Sequence, residues 1–379
     1  MGNSTSKAKR SKDFPLSFHK GSQLWCKTFK GKRYYFESLT ADPKGQKSVE
    51  KWLVIRDDLL AGRTPRKSSD PNLLDLCNAW CKFKQNQVDS GELAERSFVG
   101  YRQTCEFILR VIDKHKILSD FNATDFAKIR NEASKTQGVN SLSKFVCVVK
   151  MLFKFGYEFE LLHKPMRFGP GFSKPSAKLV REQRISKGAM DFQADEIHRL
   201  LKHSSPAMKA MILLGANGGL GNSDVAELPL SALDLKSGWL DYPRHKTATL
   251  RRIPLWPETV EAIELSISQR PENKSPLAFL RPDESDYTTP QGRSGKKVLE
   301  AFRVVADDAG ILSKGFYCLR RTFQTQSEEC GDLVAVKAIM GHVDSARDMS
   351  ARYRQRISDA RLKAAVEVVR NWLFGGVST

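Results

Sequence analysis

Tyr317-Cys318-Leu319-Arg320-Arg321-Thr322-Phe323 puts two adjacent arginines on the opening turns of a helix expected over about 318–329. Ile339-Met340-Gly341-His342 follows, and then Ala351-Arg352-Tyr353, ahead of a last helix expected at about 357–374. Upstream stand His245-Lys246-Thr247 and Arg251-Arg252-Ile253-Pro254-Leu255, with the apolar and turn residues of a β-hairpin. Each piece alone has an ordinary explanation. An isolated arginine is more often a surface ion-pair partner, and Gly-His is usually a helix-end turn. A tyrosine on a short amphipathic helix usually packs half-buried, and a lysine at a hairpin tip is usually solvated.

The set has a coherent chemistry. A hydroxyl that attacks a phosphodiester needs fixed cations on the two nonbridging oxygens as charge develops there. Arginine suits that task because its planar fork grips two oxygens at once. The departing 5′ oxygen needs a proton, which a lysine or histidine can give. A tyrosine nucleophile keeps the bond energy in a phosphotyrosine ester, so religation needs no ATP.

In this order the segments resemble the boxes of the tyrosine recombinase (phage-type integrase) family over roughly residues 190–375. Residues 317–323 look like the box His-x-x-Arg-[His/Arg]-Thr-Phe, and residues 339–342 resemble Leu-x-Gly-His. The resemblance implies a role for each matching residue. Arg320 is the second catalytic arginine, His342 takes the His/Trp position, Lys246 is the general acid and Tyr353 is the nucleophile. It implies neither metal nor cofactor. Tyr317 stands where the box has histidine; its phenol donates to a phosphate oxygen but is a poor base at neutral pH. The interval from His342 to Tyr353 is eleven residues, longer than is usual in the family.

One departure is sharper. The family's first arginine lies in Thr-Gly-Leu-Arg-x-Ser-Glu, and the matching stretch here is Gly218-Gly219-Leu220-Gly221-Asn222-Ser223-Asp224. Gly221 therefore removes one phosphate-binding fork, a loss of several kcal/mol in the transition state unless another group replaces it. Two readings follow. Either Arg244, Arg251 or Arg321 fills the gap, or the chain keeps the fold and grips DNA without cutting it, as a binding module or regulator.

The rest of the chain agrees with a DNA partner. Lys and Arg number 62 against 43 acids, a net charge of +19. A surface so positive favours a polyanion, and nothing like an RNP or KH signature argues for RNA. The chain reads as mainly α with small antiparallel β-sheets: a helical core-binding domain plus a mixed α/β catalytic domain. Residues 1–14 are a disordered basic tail. Residues 15–65 are an arm-type module of a β-hairpin and one helix, or else a structural cap. Residues 71–164 form a helical, SAM-like core-binding domain of about four helices. Residues 165–188, rich in Pro, Gly and basic residues, are a linker lying on DNA. Residues 189–379 are the catalytic domain, in which the apolar stretch from Met208 to Gly219 is a buried helix.

Seven cysteines in a chain of this length indicate a reducing compartment. Cys77 and Cys81 have helical spacing but no partner pair at zinc-ligand distance. Gly2 opens a myristoylation pattern, which the basic run behind it explains equally well as a DNA-touching tail. The expected partner is double-stranded DNA, held by a homotetramer on paired sites, with no membrane and a cytoplasmic, nucleoid-associated location. The apolar last helix either docks on a neighbouring copy or packs on its own domain.

Overall fold

Aromatic runs broken by Lys30-Gly31 make a hairpin, because those two residues accept the left-handed backbone that a two-residue turn requires (φ 43° and 80°). The computed structural model describes residues 14–60, 70–244, 246–270, 275–288, 295–343 and 348–375. The expected tail thus lies almost wholly outside the described residues, as does His245. The chain divides into two units, Met1–Pro175 and Ser176–Thr379.

In the first unit, β1 (Ser17–His19), β2 (Leu24–Phe29) and β3 (Lys32–Ser38) form an antiparallel sheet in chain order. Helix α1 (Gln46–Leu60) lays Trp52 and Leu59 against Leu16 and Trp25, a small separate core. Gly45 starts that helix at φ +73°, and a Cβ there would sit 2.6 Å from the Phe14 ring and 2.9 Å from Trp25. Four helices follow: α2 (Leu73–Asp89), α3 (Glu95–Val111), α4 (Ala123–Thr136) and α5 (Val139–Glu158). Asn72 and Asn122 start α2 and α4 with reciprocal capping boxes to Asp75 and Asp125. Apolar residues at three- and four-residue intervals put Leu142, Phe145, Val149, Leu152 and Phe153 of α5 in the centre of this core. Cys77 is buried on α2 and Cys81 half-buried; all seven cysteines are free.

The stretch expected as one linker over 165–188 divides in two. Phe168 and Phe172 pack onto Phe126 in the first core, and the Arg130 Nε donates to the Ser173 carbonyl at 2.8 Å. Its second half is helical: α6 (Ala177–Ser186) begins directly after Pro175, with the Ser176 hydroxyl accepting from the Leu179 N–H. The prolines all precede this cap, so nothing interrupts the helix beyond it.

The second unit is built around α8 (Pro206–Gly218), which is mostly apolar and buried from Ala210 to Gly218. Helix α7 (Ala194–Lys202) precedes it, and α9 (Asn222–Ala226) follows. Strands β4 (Leu233–Asp234), β5 (Trp239–Asp241) and β6 (Arg252–Pro254) make a second antiparallel sheet, with Leu240 opposite Ile253. Then come α10 (Pro257–Ser268), α11 (Lys296–Asp308), α12 (Tyr317–Ser327), α13 (Leu333–Ile339), α14 (Met349–Tyr353) and α15 (Asp359–Phe374).

Buried Asn217 ties α8 to the sheet, donating to the Pro254 carbonyl (2.9 Å) and accepting from the Trp256 N–H (2.8 Å). At Gly215 a Cβ would lie 2.9 Å from Leu319, so glycine permits the close approach of α8 and α12. The last helix packs on its own unit. Leu362, Val366, Val369 and Leu373 enter the same core as α8, and the Trp256 indole donates to the Val366 carbonyl at 3.0 Å.

Candidate active site

The site begins with how α13 stops. Gly341 adopts φ +61°, its N–H donates to the Ala338 carbonyl (3.0 Å), and the His342 N–H donates to the Lys337 carbonyl (2.9 Å). That pair of bonds is a Schellman turn, which needs a left-handed residue and so favours glycine. The turn half-buries His342 and presents two main-chain carbonyls, those of Met340 and Gly341.

Three arginines converge on this turn. Arg320, on the second turn of α12 behind the buried anchor Phe316, is only 3% exposed. Its Nη1 donates to the Gly219 carbonyl and its Nη2 to the Met340 carbonyl, both at 2.7 Å. Gly219 closes α8 and Met340 closes α13, so the guanidinium bridges the negative ends of two helices. Arg244, half-buried on the hairpin, donates from Nη1 to the Gly341 carbonyl at 3.2 Å. The stem of Arg251 runs beneath the turn. A Cβ on Gly341 would lie 2.8 Å from the Arg251 Cδ and 3.0 Å from the Arg244 Cβ, so only glycine fits.

Arg251 is itself fixed by two bonds. Its Nε donates to the Tyr242 carbonyl (3.0 Å) and its Nη2 to the Asp224 Oδ1 (3.0 Å). The other oxygen of Asp224 accepts from the Gly221 N–H at 2.7 Å, as an acid at the third position of a helix commonly does. The Tyr317 ring, half-exposed on α12, lies 3.5 Å from where a Gly221 Cβ would stand.

So many cations in one place alter the ionisation of the site. Burial, then Arg244, and further Arg251, pull Arg320 down to about 10 against the opposing pull of Tyr317 and Asp224, which leaves it charged at neutral pH. Burial, then the charges of Arg320, Arg244 and Lys337, hold His342 below its ordinary value. The imidazole is therefore neutral at pH 7 and able to accept a proton.

A cavity of about 560 Å³ opens beside the turn, bordered by Arg251, Lys337, His342, Ala351 and Arg354 among others. Ala351 and Arg354, on either side of Tyr353 in the chain, border this cavity together with His342, whereas Tyr353 is not among its lining residues. The Tyr353 ring itself is 77% exposed. Lys246 is exposed on the tip between Arg244 and Thr249, where Ala248 takes φ 52°. Arg321 is exposed on α12. The structure thus gathers Arg320, Arg244, Arg251, His342 and Tyr317, and leaves Lys246, Tyr353 and Arg321 at the surface. Asp224 was not among the expected site residues. Its signal is local, an acid three positions after Gly221, but its bond to Arg251 spans 27 residues.

Comparison with known proteins shows what this chain is similar to in sequence and in fold. Residues 191–357 match the Phage integrase family. The chain is 27% identical over 283 residues to tyrosine recombinase XerC of Pseudomonas aeruginosa, covering 70% of this chain and 86% of that one. It resembles the lambda integrase of a tetramer bound to a Holliday junction, with a TM-score of 0.57 and 14% identity over 92% of this chain and 99% of that one. The Tn1549 transposon integrase in complex with transposon right end DNA gives a TM-score of 0.59 and 12% identity, over 79% of this chain and all (100%) of that one. At those identities the likeness to the solved structures is one of fold.

Proposed function

We propose that this chain, whose residues 191–357 match the phage integrase family and which is similar to the tyrosine recombinase XerC, cuts and rejoins specific DNA sites through a 3′-phosphotyrosine intermediate. The Tyr353 Oη attacks the scissile phosphorus. A phosphorus–oxygen bond forms to tyrosine while the bond to the 5′ oxygen breaks. The phenolic proton passes to His342, which is neutral for the reason given above, and Lys246 protonates the departing 5′ oxygen. Arg320 and Tyr317 donate to the nonbridging oxygens. Attack by a 5′ hydroxyl reverses the sequence on a new partner strand. The partner is double-stranded DNA, bound by four copies on paired sites, and the place of action is the nucleoid.

The observation that carries this reading is the setting of Arg320. It is a buried, charged guanidinium held between two helix ends and beside a neutral histidine, which suits a phosphodiester better than a structural ion pair. One observation favours a second reading, DNA binding without cleavage: Gly221 lacks the arginine that the family's pattern has there.

A nicked suicide duplex separates the two readings, once a site has been selected from random-sequence duplexes by binding. We expect wild-type protein to trap a covalent adduct at the 3′ phosphate and Tyr353→Phe to trap none. Binding with no adduct from wild type would establish the second reading. Adduct persisting in Tyr353→Phe would overturn the assignment of the nucleophile.

A further inference from the structure

We infer that Arg251 supplies the second cationic fork on the scissile phosphate, the place that Gly221 leaves open, with Asp224 as its positioning residue. This rests on reading the site as a phosphodiester-transfer centre. Four observations carry it.

The first is the Asp224 carboxylate, which joins the two positions directly. One oxygen holds the Gly221 backbone and the other holds the Arg251 guanidinium. A side chain arriving from 27 residues away is thereby fixed beside the loop from which an arginine at position 221 would have projected. The second is burial: Arg251 is 3% exposed, the same as Arg320. The third is a spare donor. Two of its nitrogens are bonded, but Nη1 is buried and has no partner among the described residues. A buried guanidinium nitrogen left so is costly, and an anionic oxygen is the partner that suits it. The fourth is place. Arg251 borders the cavity that His342 and Ala351 also border, and its stem passes under the same Gly341 turn whose neighbouring carbonyl holds Arg320.

The other two candidates lack this combination. Arg244 is only half-buried, and among the described residues no bond ties it to Gly221 or Asp224. Arg321 is exposed on α12 and no bond ties it to Gly221 or Asp224 among the described residues.

The test uses the full chain and two versions of the suicide duplex, one with an ordinary scissile phosphate and one with a neutral methylphosphonate there. A cation that neutralises a nonbridging oxygen matters less when that charge is absent; a residue that only supports the fold matters equally on both. For Arg251→Gln we expect adduct formation to fall roughly 100-fold or more on phosphate, the usual effect of removing one transition-state donor, and about 10-fold or less on methylphosphonate. Arg251→Gln leaves Asp224 charged and unpaired, so the double variant Asp224→Asn/Arg251→Gln, with no orphaned charge, carries the same comparison if the single variant does not fold. Equal losses on both duplexes in a folded variant would overturn the role of Arg251 while leaving the recombinase reading intact. No adduct from wild type on the phosphate duplex would overturn the recombinase reading itself.

Discussion

At the scale of single residues, Gly341 shows how one position serves fold and site together. Its left-handed backbone ends α13, and the absence of a side chain lets the stems of Arg244 and Arg251 lie against the turn. Gly341→Ala should cost about 1–2 kcal/mol from the backbone conformation alone. The clash with the Arg251 stem adds to that and shifts a guanidinium. We therefore expect a lower urea midpoint and, at temperatures where the variant stays folded, a fall in adduct formation. An unchanged midpoint would mean that the turn relaxes freely. Tyr317 is a close neighbour of Gly221, its ring 3.5 Å from where a Cβ there would stand, an ordinary van der Waals distance.

At the scale of elements, α13 is held at both ends by arginines from elsewhere in the second unit. Its C-terminal carbonyl receives Arg320, as above. At its start the Asp332 carboxylate accepts from the Ala335 N–H (3.1 Å) and takes a two-pronged grip from Arg361 of α15, at 2.6 and 2.9 Å. That arginine pulls Asp332 down to about 2 from an ordinary 3.8. A carboxyl with a depressed folded value stabilises the fold fully above its unfolded value, and that stability is lost as pH falls through the folded value. Asp332→Asn should therefore be less stable than wild type at neutral pH, by roughly 1–2 kcal/mol for a charged cap with a bonded partner. The difference should close between about pH 4 and pH 2. A gap that stays constant across that range, followed by urea unfolding, would show that the ion pair does not contribute. The element matters for chemistry because α13 delivers His342; loosening its start loosens the histidine.

For the whole molecule the governing quantity is charge. A net +19 gives strong, sequence-independent attraction to a phosphate backbone. For a footprint of several phosphate contacts, affinity for duplex DNA should fall by roughly 10³–10⁵ between 50 and 200 mM salt. A nearly flat salt dependence in a gel-shift series would contradict a backbone-tracking mode of binding. The rise in charge is not confined to one unit, since Lys164, Arg167, Lys174, Lys178, Arg181, Arg184 and Lys187 run across the boundary at Pro175. Among the described residues no helix is long and apolar enough to cross a membrane.

What the sequence determined by itself is local in origin. Apolar spacing set the helices of both units, Lys30-Gly31 set the first hairpin, and the order Lys246, Arg320, His342, Tyr353 carried the resemblance to the tyrosine recombinases. Its weak points were also local. Helices α9 and α14 are only five residues each and show no amphipathic period, and α6 was hidden behind three prolines that stop short of it. What only the tertiary structure decided is which charges meet. Arg320 reaches a carbonyl 101 residues away, Asp224 selects Arg251 over its neighbour Arg252, and α15 buries its apolar face on its own unit. Those outcomes depend on burial. A guanidinium removed from water must find fixed acceptors, and the acceptors here are helix ends and a carboxylate that come together only when α8, α12, α13 and the hairpin have packed.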